Sequence, residues 1–163
     1  MNKKILSGLS VLVFLAVLAV SPFAVASPNR IFTTHLIGAE QNPPVQTLGQ
    51  GEAIFMISKD GQSIHYMVIA ANIENITQSH IHVGPRGVNG PIVVWLYPAS
   101  PPAVLIPGRF NGVLAEGEIT AANLVGQLAG HPLSDLINAM RAGNTYVNVH
   151  TSQNPMGEIR GQI

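Results

Sequence analysis

From residue 31 to its end the chain is written in short runs of alternating apolar and polar residues, each cut by glycine, proline, asparagine or serine. The runs span residues 31–37, 52–58, 63–70, 79–83, 92–97, 112–119, 145–150 and 158–163. They are rich in Ile, Val, Thr and Tyr and have strand length, which predicts strands rather than helices. Lys59-Asp60-Gly61 stands between two of the strongest runs and predicts a tight hairpin. Gly84-Pro85-Arg86-Gly87 and Asn89-Gly90-Pro91 predict a punctuated loop, and Pro98 with Ser100-Pro101-Pro102 ends the next run. One segment departs from this pattern. Leu133, Leu136, Ile137 and Met140 fall at i, i+3, i+4 and i+7, one face of a helix. Ser134 and Asp135 favour its start, and Gly143 sits where a helix stops. Thr120 followed by Ala121, Ala122, Leu124, Val125 and Leu128 is a weaker helical turn. The expected fold is mainly β: an antiparallel, Greek-key-like sandwich or barrel, with one or two short helices inserted before the last two strands.

The N-terminal segment reads differently. Met1-Asn2-Lys3-Lys4 is a cationic start, and residues 5–20 are almost continuously apolar. Ser21-Pro22 breaks that run, and Ala24-Val25-Ala26 places small residues where a signal peptidase reads them. Residues 1–26 are therefore expected to be a secretory signal peptide cleaved after Ala26, leaving 27–163 as the β domain. No cysteine follows the site, so no lipid anchor is expected. The mature chain should be secreted or held in a periplasmic or other extracytoplasmic space, without a membrane segment.

Composition removes several function classes. The 163 residues carry 8 Lys+Arg against 8 Asp+Glu. A nucleic-acid binder needs excess cation to displace counterions, so nucleic acid is not an expected partner. Charged residues are only 10% and apolar ones 47%, which excludes a disordered charged tail. The absence of cysteine excludes disulfides, thiolate zinc sites, iron–sulfur clusters and cysteine nucleophiles. There is no Gly-x-Ser-x-Gly elbow, phosphate-cradling loop with lysine, or zincin helix. A binding module is favoured over an enzyme.

The histidines carry the chemistry. His80 and His82 lie two apart in Ser79-His80-Ile81-His82. In a strand they share one face about 6.5 Å apart, with Ile81 turned into the core. His150 ends Tyr146-Val147-Asn148-Val149-His150, where Val147 and Val149 would pack inward and Asn148 and His150 take the other face. If the two strands are neighbours, three imidazoles meet. Neutral imidazoles suit copper or zinc, and three leave a position open for water or a fourth ligand. Metal–nitrogen bonds near 2 Å would put the ligating atoms within about 3–4 Å of each other. The alternative is that these side chains only hydrogen-bond the following loop. His35, His65 and His131 lack partners at such spacing and are expected on the surface. Met156 follows His150 closely and offers a thioether suited to Cu(I), though Met more often fills core gaps. Glu40, Glu158 and Arg160 are the charges that need an explanation; their plain reading is ion pairs that hold loops in register.

The chain resembles the CHRD family, a module named after chordin and also found singly in secreted prokaryotic proteins. The resemblance rests on Leu36-Ile37-Gly38-Ala39-Glu40-Gln41-Asn42-Pro43-Pro44-Val45 and on Ser79-His80-Ile81-His82-Val83-Gly84 with Gly87-Val88-Asn89-Gly90-Pro91. It closes on Tyr146-Val147-Asn148-Val149-His150-Thr151 and Asn154-Pro155-Met156-Gly157-Glu158-Ile159-Arg160-Gly161-Gln162-Ile163. The family usually has Gly where this chain has Met156. The resemblance implies a β-rich extracellular module with His80, His82, His150, Glu40, Glu158 and Arg160 as its polar signature. A looser similarity is to copper,zinc superoxide dismutase, in the order of His-x-His-x-Gly, Val-x-Val-His-Thr and Gly-x-x-Arg-Gly. It implies His80, His82 and His150 as copper ligands, with Arg160 as a guide for an anionic substrate; Arg160, Glu158 and Glu40 are the accessory positions of the expected site. The cysteine pair and the zinc loop of that enzyme are missing here. The expected function is thus a secreted module holding copper, or zinc as second choice, at His80, His82 and His150. It acts without catalysis, with another envelope or extracellular protein as the further partner. A copper-dependent redox enzyme and a metal-free structural or adhesive domain are the alternatives.

Overall fold

The computed structural model describes residues 29–163. The expected signal segment therefore lies outside the described residues. In chain order the elements are β1 (Ile31–Ile37), β2 (Gln50–Ile57), β3 (Ile64–Val83), β4 (Ile92–Tyr97), β5 (Ile106–Ile119), α1 (Leu133–Arg141), β6 (Thr145–Thr151) and β7 (Ile159–Gln162). Short 3₁₀ turns lie at Gly38–Glu40, Ala121–Asn123 and Gly126–Leu128. No helix among the described residues is long and apolar enough to cross a membrane.

All strand pairings are antiparallel. The strand path runs β2-β1-β7-β6-β3-β4, and β2 pairs again with β3. The path β2-β1-β7-β6-β3 thereby returns on itself and closes into a barrel. Closure removes the open edges that a sheet otherwise presents. β4 and β5 are extra strands laid against β3. The expected mainly-β architecture is the one observed.

β3 decides the geometry. Sequence reading expects two strands, 63–70 and 79–83, whereas the chain forms one strand of 20 residues. Its first half pairs with β2 and β5, and its second half with β6 and β4. The linking stretch hides from a period-two search because it is bulged. Its pairing with β5 shifts register between Ala70 and Ile73 and between Glu74 and Ile76. Asn72 and Asn75 take φ of 53° and 54° there, a left-handed conformation that asparagine tolerates. Each bulge inserts a residue and turns the strand. Ile73 and Ile76 thus both face the core, fully buried, at a spacing no regular strand allows. β5 is likewise longer than the expected 112–119. Its added segment carries Pro107, admissible because β5 pairs with β3 on one side only.

The core is one apolar cluster that includes Phe55, Ile64, Val68, Ile81, Val147, Val149 and Ile159. Ile81, Val147 and Val149 point inward as the alternation demands. Helix α1 adds its whole predicted face, Leu133, Leu136, Ile137 and Met140, to the same cluster. Gly143, at φ 65°, follows its end. The weaker helical turn after Thr120 settles as two 3₁₀ turns rather than a helix.

Candidate metal centre

The polar residues of four adjacent strands share one face. In the β3–β6 register His80 lies opposite Asn148, His82 opposite Tyr146 and Gln78 opposite His150. On the other side of β6, Asn148 lies opposite Arg160. On the other side of β3, His80 lies opposite Trp95. Pairing of β3 with β6 therefore gathers residues 70 positions apart.

Sequence alternation suggests that this face is open, yet it is closed. Every residue of β6 is buried. His80 is 0% exposed, His82 7%, His150 6% and Asn148 3%. The cover is made by loops. Arg160 reaches under residues 84–91, donating from Nη1 to Asn89 Oδ1 at 3.1 Å and from Nη2 to the Val88 carbonyl at 2.9 Å. Asn42 Nδ2 donates to the Gly87 carbonyl and Asn89 Nδ2 to the Asn42 carbonyl, each at 2.7 Å. Arg86 pairs with Glu40 across the same seam. The loop after β6 covers the opposite end, where His150 Nδ1 donates to the Pro155 carbonyl at 2.9 Å.

Glu40, Glu158 and Arg160 do hold loops, but only Glu40 does so through an ion pair. Glu158 accepts from Thr47 Oγ1 at 2.6 Å, Thr151 Oγ1 at 2.7 Å and Asn154 Nδ2 at 3.0 Å. Among the described residues neither Glu158 nor Arg160 has an oppositely charged partner within 4.0 Å. Arg160 instead places its guanidinium 3.4 Å from the centroid of the Tyr146 ring. His82 stacks on that same ring at 4.7 Å and 6°. Since β3 and β7 flank β6, the two approach Tyr146 from its two sides. Arg160 is thus held against Tyr146, its charge still felt by His82, and neither Glu158 nor Glu40 belongs to the histidine group.

His80, His82 and His150 form that group, each offering a nitrogen within 4.8 Å of the others. The shortest pair, His80 Nδ1 to His150 Nε2, is 3.2 Å. That pair meets the spacing expected for two ligands; the trio as a whole is looser. His82 Nδ1 donates to the Gly90 carbonyl at 2.8 Å, as His150 Nδ1 does to Pro155. Each of these rings therefore carries its proton on Nδ1 and turns a bare Nε2 inward. A ring held through its second nitrogen is how proteins orient imidazole ligands. The two Nε2 atoms lie 3.0 and 2.9 Å from Asn148 Oδ1, so acceptors face an acceptor. His80 Nε2 is buried without a partner. Whichever tautomer His80 takes, one of its nitrogens is unsatisfied or aimed at other lone pairs. Convergent lone pairs in a dry place fit a cation.

The rings are also in the right protonation state. Burial, together with the two neighbouring imidazoles, lowers the pKa of His80 to about 3. Burial lowers that of His150 to about 4. Burial lowers that of His82 as well, with some lowering from the Arg160 charge, against the raising effect of the Gly90 carbonyl and Asn148 Oδ1, two acceptors that favour a protonated ring. All three are neutral at pH 7, the form that binds metal.

His35, His65 and His131 are exposed, as expected. Met156 is 80% exposed and outside the group. Sequence reading passes over Tyr146 as a partner of His82 and Arg160, and over Asn148 as the residue between two inward-facing imidazole nitrogens. Their signal is the alternation Tyr146-x-Asn148-x-His150, which puts all three on one face.

Gly90 has a position-specific reason. A Cβ there would lie 1.7 Å from the Val83 carbonyl oxygen. Gly90→Ala should displace the loop and its bond to His82, lowering stability by roughly 1–3 kcal/mol. Urea denaturation of the variant measures this, and an unchanged midpoint counts against the tight seam described.

A closed antiparallel barrel with extra strands and three convergent imidazoles under its loops defines the class of protein. The particular family is shown by its sequence model: the chain belongs to the CHRD family, whose domain matches residues 32–163. Comparisons with curated proteins and with solved structures found no significant match.

Proposed function

We propose that this CHRD domain is an exported binding module that holds copper, or zinc as second choice, at His80, His82 and His150. The observation that carries this reading is the inward convergence of unprotonated imidazole nitrogens, two of them oriented through Nδ1 by backbone carbonyls. Catalysis is not required of it. The rings are buried, and Arg160 spends its guanidinium on Asn89, the loop carbonyls and Tyr146 rather than on a substrate path. Export rests on the cationic start, apolar run and small-residue pattern of residues 1–26. An extracytoplasmic location makes another envelope or extracellular protein the natural further partner.

A bound ion stabilises the native state alone. At a concentration of 100 times Kd it adds about 2.7 kcal/mol, or roughly 10 °C in Tm for a domain of this size. The test compares wild type with the His80→Ala/His82→Ala double variant, by metal content after purification and by melting with and without Cu(II) or Zn(II). Wild type should retain metal and melt higher with it; the variant should do neither. No difference between the two proteins removes the metal reading. The bonds of His82 and His150 to loop carbonyls would then stand as the whole role of the cluster. A superoxide assay on copper-loaded protein should give no more activity than free copper; a larger rate, reduced by Arg160→Ala, would favour the redox enzyme instead.

A further inference from the structure

Asn148 is placed with its amide oxygen against two acceptors. Its Oδ1 faces two bare Nε2 atoms at 3.0 and 2.9 Å. Its Nδ2 lies beside the position a Cβ would take on Gly157, 2.9 Å from it. Gln41 Nε2 lies 2.4 Å from the same position. That second amide nitrogen is buried and has no hydrogen-bond partner, on a residue only 6% exposed. Gly157, at φ 114°, leaves the room that both amide nitrogens border.

A half-turn of the Asn148 amide would remove the opposition of acceptors. Nδ2 would then donate one proton to each of the two Nε2 atoms, and Oδ1 would turn toward the Gln41 amide. In the orientation seen, a cation among the acceptors reconciles them. We infer that Asn148 is the fourth donor of the histidine site through Oδ1, and that its amide turns over when the cation leaves. This rests on the metal reading above. Three imidazoles and an amide oxygen make a closed four-donor set suited to a divalent ion, Cu(II) or Zn(II). A thioether-rich Cu(I) site would need Met156, which is 80% exposed while the three rings are buried. A filled fourth position also makes the ion structural rather than catalytic.

The experiment titrates Zn(II), which is diamagnetic, into wild type, Asn148→Leu and Asn148→Asp. Leucine has no donor and should weaken binding at least tenfold. Aspartate keeps the oxygen and should bind as tightly as wild type or tighter. A merely structural role would weaken both variants alike. In wild type, the side-chain amide resonances of Asn148 and Gln41 should both shift on adding Zn(II). Zn(II) binding that is equal in wild type and Asn148→Leu, or amide resonances that do not move, overturns the fourth-donor role while leaving the three-histidine site standing. Absence of Zn(II) and Cu(II) binding in wild type overturns both. The wild-type resonances keep the question decidable even where a variant does not fold.

Discussion

Lowering the pH from 6.5 to 5 should strip stability from the metal-free protein before its carboxylates titrate. His80 and His150 have folded pKa values of about 3 and about 4, against an ordinary value of 6.5. In that interval the unfolded chain binds protons that the folded chain refuses. Stability therefore falls as pH drops below 6.5 and is flat in this respect above it. Each pKa unit is worth about 1.4 kcal/mol, so each of the two rings should cost roughly 2 kcal/mol by pH 5. His82, lowered in the same direction, adds to the loss. Together this is a large part of the stability of an ordinary domain. Urea denaturation in the presence of a chelator, at pH 7, 6 and 5, measures it. Equal unfolding free energies at the three values would mean that the rings are not buried as described.

Arg160→Ala should cost on the order of 3 kcal/mol, because a large buried side chain leaves both a cavity and unpaired partners. Arg160 is 1% exposed and spans the seam between β7 and the loop over the histidines. Its removal orphans Asn89 Oδ1 and the Val88 carbonyl and uncovers one side of Tyr146. The effect reaches the cluster, since Tyr146 backs His82. Arg160→Lys should recover little, because an ammonium cannot match the planar fork or its stacking on the ring. Denaturation midpoints of the two variants give the comparison. A cost below about 1 kcal/mol for Arg160→Ala would assign the guanidinium to the surface.

The strands that alternate cleanly were legible at once. β1 and β4 have the bounds the run lengths suggest, and α1 carries the four apolar residues that its spacing picks out. The bulged middle of β3 was not legible. Ile73 and Ile76 share the core only because Asn72 and Asn75 take left-handed conformations, and a period-two pattern cannot anticipate that. The histidines were legible in part. His80 and His82 must share a face in any strand, and His150 must share one with Asn148. That these faces are the same face follows from β3 pairing with β6, a contact between distant parts of the chain.

Local sequence determined the cleanly alternating strands, the helix, the absence of thiol chemistry and the identity of the three rings. These depend on side-chain alternation and residue type, both of which act within a few positions. Tertiary structure alone decided that the rings converge, that Asn148 stands between two of them, and that the loops at 38–45 and 84–91 shut the polar face. Desolvation is the physical reason this matters. An exposed His-x-His is an ordinary polar edge, whereas the same residues sealed beneath Arg160, Tyr146 and two loops lose their protons and present bare nitrogens to a common space.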